Sequence, residues 1–162
     1  MVHIVEYFPI VDPLDQEILR ILQTDASLSL REVGEQVGLS STPCWRRIRN
    51  LEERGVIAHR VVLVDPESVN LGVTAIVQVR TNDHSSTWLD QFRLGIDSFP
   101  EVVEAYRTSG EVDYMLKVVV PDIAAYDAFY KRLIEEVDLY DVRSTFVMER
   151  MKHTTALPLH YA

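Results

Sequence analysis

Apolar residues recur at every third or fourth position through the first third of the chain, a spacing that predicts short helices with one buried side. The first helix begins at Asp12-Pro13, where an aspartate cap is followed by a proline in the first turn. Its apolar stripe starts at Leu14 and ends near Thr24. We expect this helix to support the two helices that follow it.

Two more short helices, joined by a tight turn, have the spacing of a helix-turn-helix. The second helix begins at Ser29, which forms a capping box with Glu32, and it ends at Gly38, where a left-handed residue is needed. A short turn follows, and Ser41 or Thr42 is the predicted cap of the third helix. These signals predict a three-helix module.

The third helix separates apolar residues from arginines. Cys44, Ile48 and Leu51 fall on the side predicted to pack, and arginine and amide side chains fall on the opposite side. A helix of this size fits the major groove of B-DNA, where arginine bonds guanine edges and flanking arginines bind phosphates. The residues predicted to contact DNA are Ser41, Thr42, Trp45, Arg46, Arg47, Arg49, Asn50 and Arg54. The alternative is a surface helix whose arginines are only solvated.

The hydrophobic period changes to that of β-strands after Gly55. A β-branched run from 56 to 64 predicts a strand that ends at Asp65-Pro66. Strands and helices then alternate in the order βαββαβ, with predicted bounds of 74–80, 85–98, 102–109, 114–120, 121–137 and 142–150. This order is the plan of ferredoxin-like folds, an antiparallel sheet with both helices on one face. We expect another subunit to cover the open face, whose predicted apolar residues are Ile76, Val118, Val120, Phe146 and Met148.

These patterns together predict an α+β chain with four segments. They are an N-terminal arm (1–11), a three-helix, winged helix-turn-helix domain (12–60), a strand linker (61–72) and a ferredoxin-like domain (73–162).

Charge is distributed unevenly between the two halves of this 162-residue chain, whose net charge is −9. Residues 1–64 carry seven arginines and nine acidic residues, a net charge of −2, which leaves −7 for residues 65–162. Five of the arginines lie between Arg46 and Arg60. Any DNA contact must therefore be local to that cluster, and the small number of phosphate contacts argues against strong non-specific binding.

Cys44 is the only cysteine, so an intrachain disulfide is impossible and we expect a reducing compartment. A redox sensor at this helix N-terminus is conceivable, but packing against Ile48 and Leu51 is the simpler role. No apolar run reaches the about 18 residues that span a bilayer, and the first residues lack the features of a signal peptide. We expect a cytoplasmic protein without a membrane partner.

The sequence contains no pattern typical of an enzyme. Glycine-rich nucleotide loops, the nucleophile elbow and the zinc-protease motif are all missing. The five histidines are scattered, and no cysteine or histidine has metal-ligand spacing. Nothing pairs the carboxylates near the predicted hairpin as acid and base. We therefore expect no catalytic residues, no metal and no cofactor.

Three motifs carry a resemblance to a known family. They are the Ser-x-Thr-Pro-Cys start of the third helix, the run from Arg47 to Ile57, and the Ser-Gly-x-x-Asp-Tyr turn from Ser109 to Tyr114. With these motifs the chain resembles the Lrp/AsnC family of bacterial and archaeal transcription regulators over nearly its whole length. The resemblance implies that the first domain binds DNA and that the second dimerises, with exchange of the connecting strand, and often forms tetramers or octamers.

The resemblance also implies an effector site, usually for an amino acid, where second domains of neighbouring dimers meet. Backbone groups around Gly110 can bind a carboxylate there, and Asp113 can attract an ammonium group. The implied effector residues are Tyr106, Thr108, Ser109, Gly110, Val112, Asp113 and Tyr114, with Ser144 and Thr145 on the last strand. An ordinary hairpin turn, which also favours Gly and Asp, is the alternative.

The implied function is a sequence-specific, nucleoid-associated regulator of amino-acid metabolism that binds double-stranded operator DNA under the control of an amino acid. Cysteine, leucine and methionine are candidate effectors. Details around Thr42, His84 and His153 are similar to a subgroup with cysteine-responsive members, which points to cysteine among the three. Two other functions stay open. They are DNA compaction without small-molecule control and a sensing module that acts through protein contacts.

Overall fold

The computed structural model describes residues 11–162, which divide into two compact units. The first unit contains the described chain up to Val62 together with Lys152–Ala162, and the second is Leu63–Met151. Residues 1–10, most of the arm expected at 1–11, lie outside the described residues.

Three helices build the first unit: α1 (Pro13–Thr24), α2 (Leu30–Val37) and α3 (Ser41–Glu53). The cap and stop signals act as the sequence predicts. The Asp12 carboxylate accepts a hydrogen bond from the Asp15 amide at 2.8 Å, and Ser29 and Glu32 form the reciprocal capping box of α2. Gly38 ends α2 with φ of +71°.

The third helix begins earlier than predicted, by one residue if Ser41 is taken as the predicted cap and by two if Thr42 is. Its cap is Ser40, which has an extended backbone, so Ser41 and Thr42 both lie inside the first turn. The buried side is the predicted one, because Cys44, Ile48 and Leu51 are all buried.

Two apolar clusters hold the three helices together. Ile18, Val33, Cys44 and Ile48 form the first, with one or two residues from each helix. Leu51 belongs to the second, with Leu19 and Val11. Val11, assigned to the arm from the sequence, is therefore part of the core.

Gly34 lies against the turn that follows α2. A Cβ atom on Gly34 would lie 2.5 Å from the carbonyl oxygen of Leu39, and the Leu39 amide donates to the Gly34 carbonyl at 2.8 Å. Real Cβ atoms do not approach an oxygen this closely, so the helix-turn-helix needs glycine here.

The β-branched run after Gly55 forms no strand within the described chain. Residues 58–65 are irregular, and the side chains of residues 61–64 are between 61% and 88% exposed. A strand is stable only when its backbone groups pair with a neighbouring strand, and residues 56–64 pair with none of the four strands of the described sheet. The strand predicted at 56–64 is thus not formed in a single chain.

The second unit is a four-stranded antiparallel sheet with two helices, in the predicted βαββαβ order. The elements are β1 (Val73–Arg80), α4 (Ser86–Asp97), β2 (Val102–Arg107), β3 (Tyr114–Val120), α5 (Ile123–Glu136) and β4 (Asp141–Phe146), and the strands lie in the order β2-β3-β1-β4. This arrangement confirms the predicted fold class. β4 ends at Phe146, earlier than the predicted limit at 150.

The core of the second unit lies between the sheet and its helices. Alternate residues of β1 and β3, such as Val77 and Leu116, face Phe92 and Phe129 from the helices. Two predicted open-face residues, Val118 and Val120, share this alternation and are buried on the helix side.

The open face was thus assigned partly to the wrong side of the sheet. The Phe146 ring packs on Tyr126 with centroids 4.9 Å apart, so it also faces the helices. Ile76, Met115 and Val119 occupy the alternate positions and face away from the helices.

Lys152–Ala162, which we call the tail, were predicted to belong to the second domain. The structure groups them with the first unit, where Leu159 packs against Leu19 and Leu51. The tail follows β4 in the chain but contributes to the core of the helix-turn-helix unit.

We expect Gly34→Ala to destabilise the first unit by about 1–3 kcal/mol, because the added methyl group must displace the Leu39 backbone. Thermal unfolding followed by circular dichroism measures this change. Gly72→Ala is the matched control, since a Cβ there meets only the Pro121 carbonyl oxygen at 3.9 Å. Equal stability of the two variants would contradict the close approach.

Candidate DNA-binding face and effector site

The side of α3 opposite its buried residues is polar and exposed. Arg46, Arg49 and Asn50 all project from it, and Ser41 and Thr42 are exposed in the first turn. This exposed side of the helix offers guanidinium, amide and hydroxyl donors, the groups that bond base edges and phosphates.

Most of the arginines around α3 already have partners inside the first unit. The Nε atom of Arg49 donates to Glu53 at 2.9 Å, and its guanidinium lies 5.8 Å from the Trp45 ring centroid. Arg60 and Glu52 form an ion pair at 2.9 Å. These contacts are exposed, so exchanging a carboxylate for a DNA phosphate costs little.

Arg54 and Asn50 are linked at the C-terminal half of the helix. The Arg54 Nη1 atom donates to the Asn50 side-chain oxygen at 3.1 Å. Arg46, by contrast, makes no hydrogen bond or ion pair with any residue in the described range 11–162. It lines a cleft of about 460 Å³, together with Asp12, Asp15, Pro43, Arg47, Asn50 and Arg54.

Arg47 differs from the other predicted DNA contacts, because its guanidinium joins α3 to α1. The Nη1 atom donates to Asp12 at 2.6 Å and to Asp15 at 2.8 Å, and the Asp15 side chain is only 10% exposed. The hydrogen bond from Arg47 lowers the pKa of Asp12 below its usual value. The structure thus gives Arg47 a positioning contact that sequence reasoning missed, because its partners lie 32 and 35 positions away.

Cys44 has the simpler of the two roles considered for it. Its side chain has no exposed surface and lies among Ile18, Val33 and Ile48. Burial raises the pKa of the thiol, which disfavours the reactive thiolate.

The turn between β2 and β3, residues 108–113, is closed by its own hydrogen bonds. The Thr108 amide donates to the Asp113 carbonyl at 2.8 Å, and the Thr108 hydroxyl donates to the Val112 carbonyl. Gly110 has φ of +127°, a conformation that L side chains rarely adopt. Ser109 and Gly110 are exposed at its tip.

Asp113 ties this turn to the end of β1. Its amide donates to the Val79 carbonyl at 3.1 Å, and its Oδ2 atom accepts from the Thr81 amide at 2.9 Å. One carboxylate oxygen therefore serves the fold, and only the other is available to attract an ammonium group.

The remaining predicted effector residues lie on two different sides of the sheet. Tyr114 is buried beside Phe92, with ring centroids 4.6 Å apart, and the Ser144 hydroxyl bonds the Tyr126 hydroxyl on the helix side. Thr145 pairs with Ile76, and Tyr106 pairs with Met115, on the open face. These nine residues therefore do not line one compact site within a single described chain.

A polar cavity of about 380 Å³ lies beside the turn, and sequence reasoning named only one of its residues, Val112. The others are Gln78, Arg80, Glu111, Asp141 and Arg143. Gln78 pairs with Arg143 and Arg80 pairs with Asp141 across β1 and β4. These residues come together because of the register between β1 and β4, and local sequence patterns do not reveal which residues of two strands are paired.

Within residues 11–162, no group of three His, Cys, Asp or Glu side chains is placed to hold a metal ion. Among the helices of that range, none is long and apolar enough to cross a membrane.

Two family models match the chain. A winged helix-turn-helix DNA-binding model matches residues 11–58, and a Lrp/AsnC ligand binding domain model matches residues 74–157. Each model covers one of the sequence-predicted domains.

Several transcriptional regulators, some of them with solved structures, are similar to this chain over nearly its full length. The glutamate uptake regulatory protein of Zymomonas mobilis is 48% identical over 149 residues, covering 92% of this chain and 91% of that protein. An AsnC family transcriptional regulator from Agrobacterium tumefaciens superimposes with a TM-score of 0.91 at 58% identity, covering 93% and 99% of the two chains. A transcriptional regulator from Neisseria meningitidis in complex with L-Met has a TM-score of 0.89 at 35% identity, covering 93% and 98%.

We expect Arg46→Ala and Arg47→Ala to affect different properties. Arg46→Ala removes an exposed cation that has no partner among residues 11–162, so it should weaken binding to a duplex selected from random sequence and leave the melting temperature unchanged. Arg47→Ala leaves two carboxylates unpaired and should destabilise the first unit by about 1–3 kcal/mol. Fluorescence anisotropy and thermal unfolding measure the two effects.

Arg20→Ala is the matched control for this pair. It makes the same charge change on α1. There the Arg20 side chain bonds Glu17, and the Arg20 backbone carbonyl, which the substitution keeps, accepts from the Thr24 hydroxyl. If Arg20→Ala weakens DNA binding as much as Arg46→Ala, net charge rather than the face of α3 controls affinity.

The Arg47 contact should also make stability depend on pH. Because the folded-state pKa of Asp12 is lowered, its stabilising contribution is complete above the unfolded value of about 3.9 and is lost as pH falls through the folded value. Asp12→Asn keeps a good helix cap but removes the charge. We expect the wild-type chain to melt higher than this variant at pH 7 and the difference to disappear as pH falls below the lowered folded-state pKa of Asp12. A difference that persists at low pH would assign the effect to the cap.

Proposed function

Because the chain belongs to the Lrp/AsnC family of transcriptional regulators, we propose that it regulates genes of amino-acid metabolism under the control of a free amino acid. The relatives of this chain are transcriptional regulators and not enzymes, in agreement with the prediction from the sequence. Operator DNA is the proposed macromolecular ligand, bound by α3 of the first unit.

One observation carries the DNA-binding part of the proposal. The burial of Cys44, Ile48 and Leu51 turns Arg46 and Asn50 outward on a helix of 13 residues. Arg46 has no partner among residues 11–162, and it is the side chain most free to bond a guanine edge. We propose that Arg49 and Arg54 bind flanking phosphates by releasing their present partners.

We propose that the active form is at least a homodimer and assembles further into tetramers or octamers. The exposed run at 61–64 and the outward positions of Ile76, Met115 and Val119 are apolar surfaces that support this. A dimer presents two α3 helices to half-sites about 34–36 Å apart, or a multiple of that spacing.

The second unit is the proposed sensor, with the effector at the turn 108–113. Exposed backbone groups around Gly110 can bind a carboxylate, and the uncommitted oxygen of Asp113 can bind an ammonium group. The Neisseria regulator, solved as an L-Met complex, supports an amino acid as the ligand class. Methionine, cysteine and leucine are the first candidates, and the polar cavity beside Val112 extends the list to polar amino acids.

Binding to chromosomal DNA also implies a place in the cell. We propose that the protein acts in the cytoplasm, on the nucleoid. DNA compaction without an effector is the less favoured function, because residues 1–64 carry a net charge of −2 and offer few phosphate contacts.

We expect one or a few of the twenty amino acids to raise the melting temperature of the full-length protein. A ligand at a hundred times its Kd adds about 2.7 kcal/mol of stability, so millimolar screening detects weak effectors. Light scattering on each hit reports the change in assembly, and anisotropy with the selected duplex reports the change in DNA affinity. If no amino acid alters melting, size or DNA affinity, the proposed control is overturned.

Asp113→Asn should separate the two roles of this carboxylate. The amide oxygen of asparagine can still accept from the Thr81 amide, so the fold should keep its melting temperature, whereas the charge that binds an ammonium group is lost. We expect normal DNA binding and at least tenfold weaker amino-acid binding, or about 1.4 kcal/mol. Asp97→Asn at the exposed end of α4 makes the same charge change as a control. An undiminished response in Asp113→Asn would place the effector elsewhere.

A further inference from the structure

The backbone of the tail is bound by two glutamines of α1. The Gln23 side chain forms a reciprocal pair with Leu157, accepting from its amide at 2.7 Å and donating to its carbonyl at 3.4 Å. Gln16 donates to the carbonyl oxygen of Ala162 at 3.0 Å. Gln16 and Gln23 are seven positions apart on one helix, so they present two hydrogen-bonding points along a single face.

Leu159 is the apolar anchor of the tail. It packs against the cluster of Val11, Leu19 and Leu51, and it is the one tail residue that is not exposed. Leu157, two residues earlier, has a side chain 71% exposed and contributes only its backbone. Since Leu51 is one of the residues that orient α3, the tail reaches the buried side of the helix proposed to read DNA.

The tail is also the direct continuation of β4. Residues 147–151 are all that separate Phe146, the last residue of that strand, from Lys152. The second unit is therefore covalently linked to the first at both of its ends, through the irregular segment 58–65 and through the tail.

We propose that the tail is a strap whose docking on α1 holds α1 and α3 in their DNA-binding arrangement. The proposal rests on the proposed function, because it takes α3 as the helix that binds DNA. Three hydrogen bonds and one leucine side chain are a small set of contacts, and contacts of this size open and close well below the energy of global unfolding. A change at the end of β4 can thus reach α1 along the chain, because the tail continues from that strand.

Leu159→Ser and Leu157→Ser in the full-length protein test the strap. We expect Leu159→Ser to raise amide hydrogen exchange in α1 and α3 about tenfold, to speed tryptic cleavage after Lys152, and to weaken binding to the selected duplex severalfold. Leu157→Ser should match the wild-type chain in all three measurements, because its side chain contacts nothing that the strap needs. Gln23→Ala, which leaves the leucine cluster intact, should speed the tryptic cleavage by itself.

Each arm of this experiment can fail separately. Wild-type exchange and cleavage in Leu159→Ser and Gln23→Ala would show that the tail is not docked, which overturns the proposal. Faster exchange with unchanged DNA affinity would overturn the role of the strap in DNA binding. If the wild-type chain itself binds no duplex, the proposed function fails, and hydrogen exchange still decides whether the tail is docked.

Discussion

Cys44 and Leu51 have no exposed surface and Ile48 has 3%, and the burial of these three side chains sets the rotation of α3 about its axis. Burying a leucine or isoleucine is worth about 1.5–3 kcal/mol, more than any single exposed polar contact of the helix. The direction of Arg46, Arg49 and Asn50 is therefore a consequence of core packing. Gly34 allows the tight turn that leads into α3, and the tail residue Leu159 packs in the same cluster as Leu51 of α3.

Electrostatics around α3 divides the arginines into two groups. Arg49 and Arg60 pair with exposed carboxylates, and such pairs are worth at most about 1 kcal/mol, so DNA phosphates can replace the carboxylates. Arg47 bonds Asp12 and the nearly buried Asp15, and its withdrawal would leave an unpaired carboxylate out of water. The cationic surface is thus smaller than the count of arginines suggests, which favours recognition by specific contacts over attraction by bulk charge.

The turn 108–113 shows how one residue can serve both fold and ligand. One carboxylate oxygen of Asp113 accepts a hydrogen bond from the Thr81 amide and so fixes the turn against β1. The other oxygen is thereby held at a defined position. A carboxylate held in this way loses little entropy when it binds a cation. Its structural role and its proposed ligand role are compatible for this reason, and Gly110 supplies the backbone conformation that the turn requires.

Local signals in the sequence determined the five helices, the four strands of the sheet and their order, but the strand predicted at 56–64 is not formed within the described chain. The capping box of Ser29 and Glu32, the stop at Gly38 and the apolar side of α3 each depend on residues within a few positions of one another. The family motifs are local in the same sense, which is why the domain types could be predicted. Only the tertiary structure decided which side of β3 is buried, because Val118, Val119 and Val120 are all apolar and fit either phase of the strand period. The contact of Arg47 with α1 and the contact of Leu157 with Gln23, 134 positions away, are also visible only in the tertiary structure. Such contacts depend on how the whole chain packs.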